Sequence, residues 1–150
     1  MTAAKPRLRV GLGSDHAGYR FKSIVAAALA ARGYVVRDFG TSSEAPVDYP
    51  DFVRPVALAV AQGEIDSALV FGGSGNGEAM AANRVRGVRC AVAWNVESAR
   101  LARAHNDANV LSIGQRMLPE SELMPVVDAW FSVPFDGGRH VPRIRKLDDV

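Results

Sequence analysis

Seven residues, Gly72-Gly73-Ser74-Gly75-Asn76-Gly77-Glu78, combine four glycines, a hydroxyl and a carboxylate between an apolar run, Ala68 to Phe71, and a helix-like run, Ala79 to Asn83. Glycines at a strand-to-helix corner let backbone N–H groups approach a ligand, and the following helix N-terminus adds positive potential. Such a corner holds an oxyanion. Glu78 stands where a nucleotide-binding phosphate loop needs its lysine. A carboxylate beside an anion hole suggests proton abstraction. The ordinary alternative is that an acidic residue in a first helical turn gains about 0.3–1 kcal/mol from the helix dipole. Four adjacent glycines favour the chemical reading, since a plain cap needs one permissive residue.

Other polar residues have the same double reading. Asp15-His16 before Gly18 could cap a helix. His105-Asn106 could end one, since a late histidine favours the dipole and Asn often follows a helix. Arg139, His140, Arg143, Arg145 and Lys146 could form a solvated face, yet beside Gly137-Gly138 they also offer a phosphate clamp suited to guanidinium geometry. Dinucleotide binding fails on spacing: a G-x-G-x-x-G pattern from Gly11 needs glycine at His16, and one from Gly73 needs it at Glu78. His16, His105 and His140 show no i,i+4 pairing and no clustering with cysteine, so a zinc site has little support.

These residues need elements to hold them. Leu8 to Leu12, Tyr34 to Val36, Ile65 to Phe71, Arg89 to Trp94 and Val110 to Ile113 read as five short strands. Helical spacing fills the intervals: Phe21, Ile24, Val25, Ala28 and Leu29; Phe52, Val56, Ala59 and Val60; Val96 to Ala104; and Glu120 to Phe131. A short terminal helix spans Pro142 to Asp148. Pro55 fits its helix only within the first turns. Residues 40 to 49 read as a loop. Alternating strands and helices predict an α/β fold with a parallel sheet covered on both faces and right-handed crossovers. Ligands bind beyond the carboxyl ends of such strands, where Gly13 to His16, Gly72 to Glu78 and Ile113 to Arg116 fall. With His105-Asn106 just before the fifth strand, the polar residues are expected to converge on one edge.

A length of 150 residues fits one domain, with roughly 68–70% of the unfolded surface buried. Charged residues at 23% and apolar ones at 48% are near globular averages. A net charge of +2 with scattered arginines does not suggest nucleic acid. Cys90 stands alone, which excludes an internal disulfide and fits a reducing cytoplasm. Met1 to Pro6 lack the apolar core of a signal peptide, and no stretch approaches the roughly 20 apolar residues of a membrane span.

Taken in order, Ser14-Asp15-His16-Ala17-Gly18, Asp48-Tyr49-Pro50, Gly72 to Glu78, Ala81-Ala82-Asn83, His105-Asn106-Asp107-Ala108-Asn109 and Gly137-Gly138-Arg139-His140 resemble the type B ribose-5-phosphate isomerases, over residues 8 to about 145. The same family contains galactose-6-phosphate and allose-6-phosphate isomerases. The resemblance implies a Rossmann-like three-layer α/β/α sandwich with a five-stranded parallel sheet, free of metal and cofactor. It also implies a homodimer with active sites at the subunit interface; pairing of dimers into tetramers is not readable. Residues 1–150 would form a single sugar-phosphate isomerase domain, with the segment of about 132–150 contributing to the dimer and the phosphate site.

One branch of the family uses a cysteine base in the glycine loop, and the other has serine there with a glutamate downstream. Ser74 and Glu78 match the second. The resemblance makes Glu78 the base that moves a proton between C1 and C2, and gives the enediolate to Ser74 with the amides of Gly75, Asn76 and Gly77. A carboxylate needs only a modest upward pKa shift for this, whereas a serine hydroxyl has no thiolate-like form near neutrality. Asp15 and His105 match the residues that open the furanose ring, their division of labour left open. His16, Arg116, Arg139 and Arg143 match phosphate-binding positions, Asn106 lies near the reacting carbons, and Tyr49 borders the pocket. Pro142, between the two last arginines, departs from the expected pattern: as a first helical residue it would leave Arg139 in the preceding loop. The substrates implied are ribose 5-phosphate and ribulose 5-phosphate. Alternatives are allose 6-phosphate, galactose 6-phosphate or a tetrose phosphate by the same chemistry, and a non-catalytic sugar-phosphate sensor.

Overall fold

The computed structural model describes residues 7–149, so the expectation about Met1 to Pro6 lies outside the described residues. Five strands, β1 (Arg9–Ser14), β2 (Val35–Asp38), β3 (Ser67–Gly72), β4 (Cys90–Ala93) and β5 (Val110–Gly114), form one parallel sheet in the order β2-β1-β3-β5-β4. The three central strands are almost wholly buried because both of their faces are covered. Alternate residues serve opposite layers. Val10, Leu12, Leu69, Phe71, Leu111 and Ile113 pack against α1 (Tyr19–Ala31), α4 (Val96–Asn106) and α5 (Glu120–Ser132). Ala68, Val70 and Val110 face α2 (Tyr49–Ala61) and α3 (Asn76–Asn83). Continuous apolar strands with helices on both sides are what a doubly covered parallel sheet requires.

Several boundaries differ from the sequence reading for local reasons. A 3-10 turn, His16–Gly18, precedes α1, because the Asp15 carboxylate accepts the N–H groups of Ala17 and Gly18 at 2.9 and 3.1 Å. Gly18 is required there, since a Cβ would lie 2.3 Å from the Phe71 carbonyl carbon. Pro55 is the seventh residue of α2, beyond its first turns. The carbonyl it deprives of a donor belongs to Asp51, which is exposed and so open to solvent. The last helix, α6, spans His140–Asp148, so Pro142 is its third residue and not its first. Proline is tolerated there because the opening N–H groups of a helix have no internal partner.

Candidate active site

In the order β2-β1-β3-β5-β4, the chain leaves β1 in one direction and β3 in the other, so the sheet's switch point lies between these two strands. Asp15 follows β1 there, and the glycine loop follows β3. Gly75, with φ of 84°, adopts the left-handed conformation that starts α3. Its carbonyl accepts the buried Ser112 hydroxyl at 2.7 Å. The Gly72 and Gly73 carbonyls accept the N–H groups of Gln115 and Arg116 at 2.7 and 3.0 Å. Three loop carbonyls are thereby turned toward β5 and the residues after it. At the other end of the loop the Asn76 N–H donates to Ser74 Oγ at 3.2 Å.

Three of the loop glycines leave space that a functional side chain occupies. A Cβ on Gly72 would meet Glu78 Oε1 at 1.9 Å, one on Gly73 would meet Arg116 Nη1 at 2.9 Å, and one on Gly77 would meet Tyr49 Cζ at 2.5 Å. Carboxylate, guanidinium and phenol ring therefore each lie against the loop backbone. Glu78 is 3% exposed and Asp15 7% exposed. Burial raises the Glu78 pKa above its ordinary value; its own backbone N–H opposes this, and the neighbouring Asp15 charge adds to it. His16 Nδ1 accepts the Val47 N–H at 3.1 Å, so the neutral ring carries its proton on Nε2. That imidazole lines a cleft of about 510 Å³ with Val47, Asp48 and Phe52.

Cys90 opens β4, and burial, with a contribution from the Glu78 charge, pushes its thiol up to about 12. It holds no thiolate near neutrality.

The expectation that all polar residues converge on one edge is corrected. α4 starts at the carboxyl end of β4 and runs back across the sheet, which puts His105 and Asn106 at the amino end of β5. There the His105 and His140 rings stack, 4.5 Å between centroids and 16° between planes. The Asp136 N–H donates to the Ala104 carbonyl at 2.9 Å and ties this turn to α4. Arg139 caps α6 with helical dihedrals, so Arg139 and Arg143 sit one turn apart on the same helical face despite Pro142. One chain thus carries two groups: Asp15, His16, Tyr49, Ser74 to Glu78 and Arg116 at the carboxyl edge, and His105, Asn106, Arg139 and Arg143 at the opposite edge.

The histidines also cluster more than their spacing predicts. One ligand atom each from His105, Asp136 and His140 lies within 4.8 Å of the others. Burial first, then the positive charges of His105, Arg139 and Arg143, lowers the His140 pKa, with Asp136 opposing. The positive charges of Arg139 and Arg143 beside this cluster favour an anion there over a second cation. Sequence reasoning missed one supporting residue, Ser112, and one contact. Ser112 left a signal as the one hydroxyl within an apolar strand; the His105–His140 contact spans two helices and left none.

A buried carboxylate of raised pKa against a glycine-rich loop, at the switch point of a parallel sheet, is an arrangement of α/β proteins suited to proton transfer on a small ligand. Comparison with known proteins narrows that class. The profile of the family described as Ribose/Galactose Isomerase matches residues 10–147. Ribose-5-phosphate isomerase B of Escherichia coli K12 is 40% identical over 142 residues, covering 95% of both chains. The protein of the same name from Mycolicibacterium paratuberculosis is 45% identical, covering 91% of this chain and 87% of its own. Among solved structures, ribose-5-phosphate isomerase B of Clostridium thermocellum superposes with a TM-score of 0.93 at 46% identity, covering 95% of this chain and 96% of that one. The Mycoplasma genitalium enzyme, solved with bound ribulose-5-phosphate, has a TM-score of 0.90 at 37% identity and covers 93% of each chain. The chain belongs to the ribose/galactose isomerase family.

Proposed function

We propose that the protein is an aldose-ketose isomerase that interconverts ribose 5-phosphate and ribulose 5-phosphate through a cis-enediolate. The observation that carries this reading is the Glu78 carboxylate, buried against Gly72 within an anion-holding loop and with its pKa raised. The names of its relatives and the ribulose-5-phosphate bound to the Mycoplasma genitalium enzyme support the choice of sugar. Asp15 and His105 open the furanose ring, one protonating the ring oxygen while the other takes the anomeric proton. Glu78 then removes the C2 proton, the C1 aldehyde oxygen becomes the enediolate oxygen, and Ser74 with the amides of Gly75, Asn76 and Gly77 holds that charge. Return of the proton to C1, with transfer of the O2 proton to O1, leaves the C2 ketone and a C1 hydroxyl. His16 Nε2–H, Arg116, Arg139 and Arg143 bind phosphate, Tyr49 walls the pocket beside Gly77, and Asn106 faces the reacting carbons.

Because the two groups lie at opposite edges of one sheet, this assignment needs a second copy to supply His105, Asn106, Arg139 and Arg143. We therefore propose a homodimer with shared sites. Met80 on α3 and Trp94 after β4 support it: they are 66% and 57% exposed, apolar surface close to the glycine loop and to the open edge of the sheet. Residues 1–150 act as one domain in this reading, and a single cysteine, which fits a reducing compartment, supports a cytoplasmic setting. Among the described residues no helix is long and apolar enough to cross a membrane.

Glu78→Gln is expected to retain sugar-phosphate binding and to lose about 10²–10⁴-fold in exchange of the C2 proton with solvent. Deuterium incorporation from heavy water measures it. Near-parental exchange would remove Glu78 from the role of base.

A further inference from the structure

Outside the residues assigned so far, one side chain bonds both elements that carry the second group. Arg89, just before β4, is largely buried, its side chain 17% exposed. Its Nε donates to the Asn106 carbonyl at 3.0 Å and its Nη2 to the Asp107 carbonyl at 2.9 Å. Its Nη1 donates to both carboxylate oxygens of Asp148, at 3.1 and 2.9 Å. The Asn106 carbonyl is among the last of α4, which have no partner inside the helix, so Arg89 caps the helix that ends in His105-Asn106. Asp148 is the last residue of α6, where the helix dipole disfavours a carboxylate unless a cation answers it. A planar guanidinium with donors on three nitrogens spans these acceptors at once; a lysine ammonium does not. The backbone at Arg89 is fixed as well: its N–H donates to Asn109 Oδ1 at 2.8 Å, and its carbonyl accepts the N–H groups of Asn109 and Val110.

We propose that Arg89 is a positioning residue of the isomerase site, locking the end of α4 to the end of α6 so that His105 and Asn106 keep a fixed spacing from Arg139 and Arg143. This rests on the reading of those four residues as the phosphate-gripping and ring-opening half of a shared site. Phosphate held by the α6 arginines sets where the sugar ring lies relative to His105, and a slip of about 1 Å in such an arrangement costs on the order of 10²-fold in rate. Arg89 touches neither substrate nor reacting atoms. It acts through the relative placement of two helices.

Two variants separate this role from general stability. Asp148→Asn weakens only the tie to α6, removing its charge and one of its two acceptor oxygens, and sits on a half-exposed side chain in its last turn. It is expected to speed hydrogen exchange of the α6 amides and to raise KM for ribose 5-phosphate and the inhibition constant of inorganic phosphate together by about 3–10-fold, with a smaller loss in kcat. Arg89→Lys loosens both helix ends and is expected to lower kcat and raise KM by about tenfold each, with little added effect from Asp148→Asn in the double variant. An active Asp148→Asn protein with parental KM, phosphate inhibition and α6 exchange would overturn the role of Arg89. Failure of the parent protein to isomerise ribose 5-phosphate would instead overturn the functional reading on which it rests.

Discussion

Glu78 shows how a single carboxyl is made to serve as a base. Taken from water and set near Asp15, its charged form is disfavoured, and the pKa rises toward the working pH at which a base is most effective. The same perturbation enters stability. In the folded chain the Glu78 proton is held more tightly than in the unfolded chain, so the contribution of this group is whole below the ordinary value of 4.5 and is lost as pH rises through the raised folded value. Glu78→Gln, neutral at every pH, is expected to remove that loss. Unfolding free energies of parent and variant, from denaturant titration, should diverge in favour of the variant as pH rises from about 4.5 toward neutrality, by about 1.4 kcal/mol for every tenfold difference in proton affinity between the folded and unfolded chains. In the parent, kcat/KM should rise with pH through a pKa above the usual carboxylate range. A parallel pair of stability curves would show that burial does not perturb this carboxyl.

At the level of elements, the glycine loop works because its missing side chains are where other side chains go. Gly72→Ala would put a methyl 1.9 Å from Glu78 Oε1 and force the carboxylate aside without changing any titratable group. The expected result is a loss of about 100-fold in kcat with KM close to parental, read from steady-state kinetics. The loop itself was plain in the sequence, as were all five strands, because apolar runs bounded by glycine or charge leave little choice for a buried parallel sheet. Helix starts were less legible. Asp15 forms a 3-10 turn through two hydrogen bonds that periodicity does not reveal, and Pro55 persists inside α2 because its cost falls on an exposed carbonyl. Pro142, which looked like a break between Arg139 and Arg143, falls in the permissive first turn of α6. The grouping of site residues was legible only in part: motif order says which residues act together, whereas the direction of α4 across the sheet decides which edge each one reaches.

For the whole molecule, a site divided between opposite edges predicts complementation between defective chains. Glu78→Gln and His105→Asn proteins should each be nearly inactive alone. Unfolded together and refolded as a mixture, half of the dimers would be mixed, each with one doubly altered site and one unaltered site. Recovery of about a quarter of parental activity is expected for a closed two-fold dimer with random pairing. A mixture that stays as inactive as its components would place His105 and Glu78 in the same chain's site or in none. The strand order has a different consequence, for how the chain is made. Among the described residues β4 pairs only with β5, which lies later in the sequence yet sits between β4 and β3. At roughly 5–20 residues per second, about a second or more separates the emergence of β4 from the ribosome and that of its pairing edge. Through that interval an apolar strand waits without a ladder, and an unpaired strand edge of this kind is what a chaperone shields from aggregation.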